Sequence, residues 1–424
     1  MQPKESSPNY LAPAQAAARW ILSRRSEGHW PSGPVEPLAD QLDLYSGNAG
    51  TILFFLELAQ ATGEHSYQEA ARSAVDYIAN HLEQVSDSGL YTGLAGMAFA
   101  LDCIITTGDN SLLRSSLNRA LDRLLGDAVQ HNPGVSWNEW NDLFSGTAGI
   151  GLALIHLAAQ TGRNDLLELA QGAGDRLLAL AQESAKGIYW IISAAPSKEY
   201  PNFSHGTAGI GYFLSELYEA TKDERYLLSA LAAGHYLQSI VSKAESSQHL
   251  IFHNDAGGRN LFYLGWCHGP AGTGRFFYRL SQLTNDPGWL TLIRNQATTL
   301  MASGIPERQT PGYWNNISRC CGAAGVGEFF LGLFAATKDR SYLAFAERIA
   351  GYLITRAETD ANGIKWTQAD RRIEPDHLVA QTGLMQGAAG VGLFLLHVDQ
   401  ACRSQRSFVR LPDEPVWEKA AAAE

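Results

Sequence analysis

The chain has 424 residues, 45% hydrophobic and 18% charged, with a formal net charge of -11. That is a globular composition, and an acidic balance with no run of Lys or Arg argues against nucleic acid or an anionic membrane as partner. Five cysteines are odd in number and sparse, so the chain reads as a reduced, cytoplasmic protein without a disulfide framework.

The N-terminal MQPKESSPNYLAPAQ has no basic stretch followed by an apolar core and is not a secretory signal. No run of 18 apolar residues is free of charges and turn residues, so no membrane span is expected. A Gly-x-x-Gly step then recurs along the chain: SGNAG (Gly47), TGLAG (Gly93), SGTAG (Gly146), HGTAG (Gly206), HGPAG (Gly269), CGAAG (Gly322) and QGAAG (Gly387). Successive glycines lie 46, 53, 60, 63, 53 and 65 residues apart, so the units carry loops of different length.

A second landmark is more regular. A turn opening on Thr62, Thr107, Thr161, Thr221, Thr284 and Thr337 follows the first six steps at offsets of 15, 14, 15, 15, 15 and 15; in the seventh unit Cys402 stands at that place. The segments between the landmarks, such as TILFFLELAQA and IGLALIHLAAQ, are apolar almost all round, as in a helix buried on every side. After each Thr turn comes an amphipathic stretch, for example SYQEAARSAVDYIANHLE from Ser66, with apolar residues at helical spacing. Each unit therefore predicts an inner helix followed by an outer one. The linkers carry Gly-plus-aromatic runs, GHWP at Gly28, GIYW at Gly187, GYWNN at Gly312 and GIKW at Gly363, expected as short strand or hairpin pieces whose aromatics anchor packing. The end, WEKAAAAE, reads as a frayed tail.

Seven apolar helices need seven amphipathic ones to cover them. A closed two-layer ring does this, whereas an open solenoid would expose its ends. The expectation is an all-α chain, one domain over residues 1–424, with glycines that let inner helices start close together and turn inward.

A closed ring gathers the inner-helix starts at one mouth, where free N–H groups and partial positive charge stabilise thiolates. The residues before the repeat glycines are Ser46, Thr92, Ser145, His205, His268, Cys321 and Gln386, and one step further back stand Cys267 and Cys320. Three of five cysteines thus crowd two neighbouring units, while Cys103 and Cys402 read as core residues. Cys267, Cys320 and Cys321 can converge on one metal ion, with His268 able to stand in for Cys320; thiolates favour Zn²⁺, and a catalytic zinc keeps an open position.

WCHGPAG from Trp266, CCGAAG from Cys320, SHGTAG from Ser204 and NDLFSGTAG from Asn141 resemble the lanthionine synthetase C-like cyclases, over nearly the whole chain. The resemblance implies an (α/α)₇ toroid with central zinc that closes lanthionine or methyllanthionine thioether rings by adding peptide Cys thiols to dehydroalanine or dehydrobutyrine. It makes Cys267, Cys320 and Cys321 the metal ligands and His205 and Asp142 the catalytic pair. Asp43 shares the offset of Asp142 before its repeat glycine, and Asp142 is preferred because the family places this carboxylate in the third step. Two departures stand out. Cys321 occupies a position usually held by His, which makes the ligand set formally -1 and predicts faster attack with looser ring selectivity. The family's Arg shortly before the first zinc Cys is missing from NLFYLGWC, with Arg259 farther off.

The expected partners are a dehydrated ribosomal precursor peptide and a separate dehydratase. Three readings compete: addition of glutathione or another thiol to dehydroamino acids, protein prenyltransfer, which needs a cationic diphosphate pocket that no basic cluster supplies, and a non-catalytic peptide-binding helical ring.

Overall fold

The computed structural model describes residues 9–31, 41–108, 111–194, 197–254, 258–369 and 371–418. Inner helices are α2 (Asn48–Thr62), α4 (Leu94–Ile105), α6 (Thr147–Thr161), α8 (Thr207–Thr221), α10 (Pro270–Thr284), α12 (Ala323–Thr337) and α14 (Ala388–Cys402). Outer helices are α1 (Leu11–Ser23), α3 (His65–His81), α5 (Ser111–Gly126), α7 (Asn164–Leu180), α9 (Glu224–Ser239), α11 (Pro287–Ala302) and α13 (Arg340–Thr355). The inner seven stand side by side in a closed circle, α14 against α2, and each is backed by an outer helix. This is the all-α toroid of seven inner and seven outer helices. The order within the last unit differs from expectation: its outer helix is α1, from the other end of the chain, which backs α14. No Thr turn is needed after α14, and Cys402, expected in the core, is exposed there.

The Thr landmark has a physical cause. Thr62, Thr161, Thr221, Thr284 and Thr337 each donate their hydroxyl to the carbonyl of a leucine four residues earlier at 2.6–2.8 Å. The next residue, Gly63, Gly162, Lys222, Asn285 or Lys338, adopts a left-handed φ of 56–72° and ends the helix. The second unit, with its offset of 14, lacks that cap: α4 stops at Ile105, and Thr107 bonds the Ile104 carbonyl instead.

At the other end of the inner helices a backbone belt closes the ring. Tyr45 donates to Tyr91, Tyr91 to Phe144, Phe144 to Ser204, Ser204 to Cys267, Cys267 to Cys320, Cys320 to Met385 and Met385 back to Tyr45, N to O at 2.8–3.1 Å. Each of these residues stands two before its repeat glycine. The belt sets all seven loops in one register despite their unequal linkers.

The repeat glycines are not used for left-handed turns. The first of each step is the helix N-cap in extended backbone. The second lets the belt loop lie on the helix: a Cβ at Gly50, Gly96, Gly149, Gly209, Gly272, Gly325 or Gly390 would come within 1.8–2.3 Å of a loop carbonyl oxygen. A third glycine locks inner helix to inner helix. Gly151, Gly211, Gly274, Gly327 and Gly392 receive Phe213, Phe276, Phe329, Phe394 and Phe54 of the next helix, where a Cβ would lie 2.2–2.7 Å from the ring. The last of these pairs joins the ends of the circle. Where the next helix carries Ala100 or Ala153 instead of Phe, the glycine position holds Ile52 or Ala98.

The linkers follow expectation in part. GIYW and GIKW lie in antiparallel hairpins, and Tyr313–Trp314 pairs in parallel with Phe262–Tyr263, while GHWP forms only one bridge, Ser26 to His29. Trp137, Trp190 and Trp366 donate their indole N–H at 2.7 Å to Leu124, Leu177 and Leu353 at the ends of outer helices, so these rings are packing anchors. Among the described residues no helix is long and apolar enough to cross a membrane.

The inner helices are not purely apolar. Glu57, Asp102, Arg275, Glu328 and Asp399 are buried on them. The C-terminal segment supplies partners: Asp413, fully buried, accepts from Arg275 Nη1 at 3.1 Å, and the Trp417 carbonyl accepts from Tyr278 at 2.6 Å. Trp417, expected in a frayed tail, is instead buried against Tyr278 and Gly332. Residues 419–424 of that tail lie outside the described residues.

Candidate metal centre

The belt bond from Cys267 N to Cys320 O, at 3.1 Å, brings the fifth and sixth loops together. With that register set, the Cys267 and Cys321 sulfurs lie 3.2 Å apart and those of Cys321 and Cys320 3.5 Å apart. All three lie within 4.8 Å of one another, are buried and are free of disulfides. Sulfurs about 2.3 Å from a tetrahedral zinc stand roughly 3.8 Å apart, so the trio fits such an ion with slight expansion. His268 is not in this cluster. Its imidazole is buried with Nδ1 unpartnered, and it packs on His253, ring centroids 4.4 Å apart.

Three buried thiols cannot behave alike. Burial drives the Cys267 thiol up. Burial also acts to raise Cys320, but hydrogen bonds from Cys267, Cys321 and Tyr45, and the nearby His205, outweigh it and bring that thiol well below the usual range.

His205 and Asp142 come together as a pair, although they are 63 residues apart in sequence: His205 Nδ1 lies 2.7 Å from Asp142 Oδ2. The other carboxylate oxygen, Oδ1, accepts from the N–H groups of Ser145 and Gly146 at 2.9 Å. Asp142 therefore tightens the turn before α6 and holds an imidazole at once. Asp43 makes the same turn bonds, with Oδ1 accepting from Ser46 N at 2.7 Å and Gly47 N at 2.9 Å.

Sulfurs and imidazole open on one cavity of about 840 Å³ at the belt end of the ring. A smaller cavity of about 350 Å³ lies beside His397 and Trp417, away from the sulfurs. The larger one is also lined by residues the sequence did not single out, among them Tyr45, His253, Tyr263, Arg371 and Arg372. Tyr45 could have been found, since it stands at the belt position of the first repeat. His253 and Arg372 arrive on linkers with no repeat signal. Arg259 is not among the lining residues and stacks instead on Phe252; the arginines of the cavity come from the hairpin loop that follows Gln368–Ala369. Burial, helped by Arg372 and His205, lowers His253 to about 4, and burial lowers His268 well below the usual imidazole range. Both are therefore neutral near pH 7. Burial pushes the Tyr263 phenol up to about 12.

Residues 39–409 match the family model described as lanthionine synthetase C-like protein. Among solved structures, nisin cyclase is similar over 93% of this chain and 94% of its own, with 17% identity and a TM-score of 0.67. The Lin0763 protein from Listeria innocua matches 94% of this chain and 99% of its own, with 12% identity and a TM-score of 0.53. The GH76A alpha-1,6-mannanase from Salegentibacter sp. HEL1_6 matches 92% of this chain and 98% of its own, with 15% identity and a TM-score of 0.50. At such identities the likeness concerns the fold, and a ring shared with a mannanase shows that the ring alone does not choose the chemistry.

Proposed function

The chain belongs to the lanthionine synthetase C-like family, and on that premise we propose that it is a zinc-dependent lanthipeptide cyclase of the cytoplasm. Its substrate is a ribosomal precursor peptide in which a separate dehydratase has made the dehydroamino acids. The observation that carries this reading is the meeting of three buried sulfurs with a carboxylate-held imidazole on one cavity.

Cys267, Cys320 and Cys321 would hold the ion. Zinc, when bound, supplies Lewis acidity that favours the thiolate form of an incoming Cys. The remaining steps belong to this chain's own side chains. A carbon–sulfur bond forms at Cβ of the dehydroamino acid, and Cα takes up one proton, so the thiol adds across the double bond with nothing expelled. Asp142 Oδ2 accepts from His205 Nδ1–H, which leaves Nε2 as the nitrogen that exchanges the proton. Because Asp142 is itself pinned by two N–H groups, the imidazole keeps one tautomer and one orientation.

The test is to incubate purified protein with a dehydrated, Cys-containing peptide and count alkylatable thiols by mass spectrometry. One thiol is lost per ring formed, zinc is present at one per chain, and Cys267→Ala abolishes both. Equal thiol counts with and without protein, at full zinc occupancy, would sink the cyclase assignment.

A further inference from the structure

A third thiolate in place of an imidazole leaves the metal site one negative charge in excess, in a buried position. That surplus needs donors. The side chains around Cys320 form a chain of hydrogen bonds whose polarity can be read link by link. Ile317 N–H donates to Gln368 Oε1 at 2.9 Å. The Gln368 amide therefore directs its Nε2 to Gln386, reaching the backbone oxygen at 2.7 Å and Oε1 at 3.4 Å. That orients Gln386 so that its own Nε2 donates to the Tyr45 oxygen at 2.9 Å. A phenol that accepts there keeps its single hydrogen for another acceptor. Belt bonds through Met385 set the Tyr45 and Cys320 loops side by side, and Tyr45, Gln386, Cys320 and Cys321 line the same cavity, so the Cys320 sulfur is an acceptor on offer to that hydrogen.

The chain starts at a backbone N–H three residues before Cys320 and returns to Cys320 through the seventh and first repeats. Gln368 and Gln386 are buried. Tyr45 has a separate structural role, with its backbone in the belt and its ring 5.1 Å from Phe144, which its hydroxyl does not serve.

We propose that Tyr45, oriented by Gln386 and Gln368, donates a hydrogen bond to the Cys320 sulfur and offsets the surplus charge of a three-thiolate metal site. This rests on the reading that the three cysteines hold zinc. Tyr45 is a positioning residue: it acts through a ligand and not on substrate.

The test is zinc affinity at fixed pH, by competition with a chromophoric chelator, for the full-length protein. Tyr45→Phe keeps the ring and the belt and removes only the hydroxyl; Gln386→Leu removes its orienting donor. Each weakens zinc binding by about 10- to 100-fold, the usual cost of losing a partner behind a metal ligand. In the cobalt-substituted protein the sulfur-to-metal charge-transfer band moves in Tyr45→Phe. In a Cys321→His background, where the surplus charge is gone, Tyr45→Phe loses most of its effect. Wild-type affinity and an unmoved band in Tyr45→Phe would overturn the proposal while leaving the zinc reading intact. An equal loss in the Cys321→His background would assign Tyr45 a packing role and overturn it too. A wild-type protein that binds no zinc would overturn both.

Discussion

Replacing Asp142 tests the turn and the proposed catalysis separately, because its two oxygens accept from different partners. Oδ1 accepts from Ser145 and Gly146, and Oδ2 accepts from His205. In Asp142→Asn one oxygen remains. If it stays on the turn, an NH₂ group faces His205 Nδ1, which must then accept, and the free hydrogen moves to Nε2. The imidazole is held in the wrong tautomer. Loss of correctly poised acid–base catalysis is worth about 10²–10⁴-fold in rate, or roughly 3–5 kcal/mol of barrier. Stability falls by only about 1 kcal/mol, since both turn N–H groups keep a neutral acceptor. In Asp142→Ala those N–H groups lose a charged acceptor in a buried turn, at about 1.5–3 kcal/mol each, or about 3–6 kcal/mol in all. Single-turnover thiol consumption measures the first quantity and urea unfolding the second, with zinc content as the control for site integrity. Near-wild-type turnover in a zinc-loaded Asp142→Asn protein would refute the pairing as the source of acid–base chemistry. Equal stability of the Asn and Ala variants would refute the dual role of the carboxylate.

Asp413→Ala strips the counter-ion from buried Arg275 and the acceptor 2.7 Å from the Trp266 indole, next to Cys267. It is expected to cost about 3–5 kcal/mol, and urea unfolding of this variant with and without Arg275→Met shows whether the stranded cation is the cause. Gly327→Ala drives a methyl to 2.2 Å from Phe394 and is expected to destabilise by about 1–3 kcal/mol. Gly351→Ala, in α13 with open space around it, is instead expected to stabilise by about 0.5–1 kcal/mol. A thermal melt in which the two substitutions shift the midpoint in the same direction contradicts the packing argument. Partly buried His397 is raised to about 10, desolvation opposing and Glu328 and Glu57 prevailing, so its contribution to stability is complete below about 6.5 and fades as pH rises through 10. Glu328 is lowered to about 2, Arg319 and His397 outweighing burial, so its contribution is complete above about 4.5 and fades as pH falls through 2. Urea midpoints should decline above pH 6.5, and the decline should flatten in His397→Gln; an unchanged slope in that variant assigns the titration elsewhere.

Repeats and helices were legible because each has a local cause. The Thr landmark is a helix stop made within one turn, the apolar run is an inner helix, and the glycines mark where backbone must approach backbone. Such causes operate over a few residues and recur, so irregular linkers do not hide them. Three cysteines at two neighbouring steps were legible for the same reason. The missed residues lacked a local cause. Trp417 looks like a tail until Tyr278 and Gly332 need covering, and α1 looks like a leading helix until α14 needs a back.

The sequence by itself determined that there are seven units, which helices lie inside, and which residues stand at each helix start. Only the tertiary structure decided which of those residues meet. Cys267 and Cys320 are neighbours, and Asp142 reaches His205, because seven loop backbones bond in a closed circle that sets every start at the same height. That register is a property of closure: each bond of the belt joins two repeats, so no single repeat encodes it.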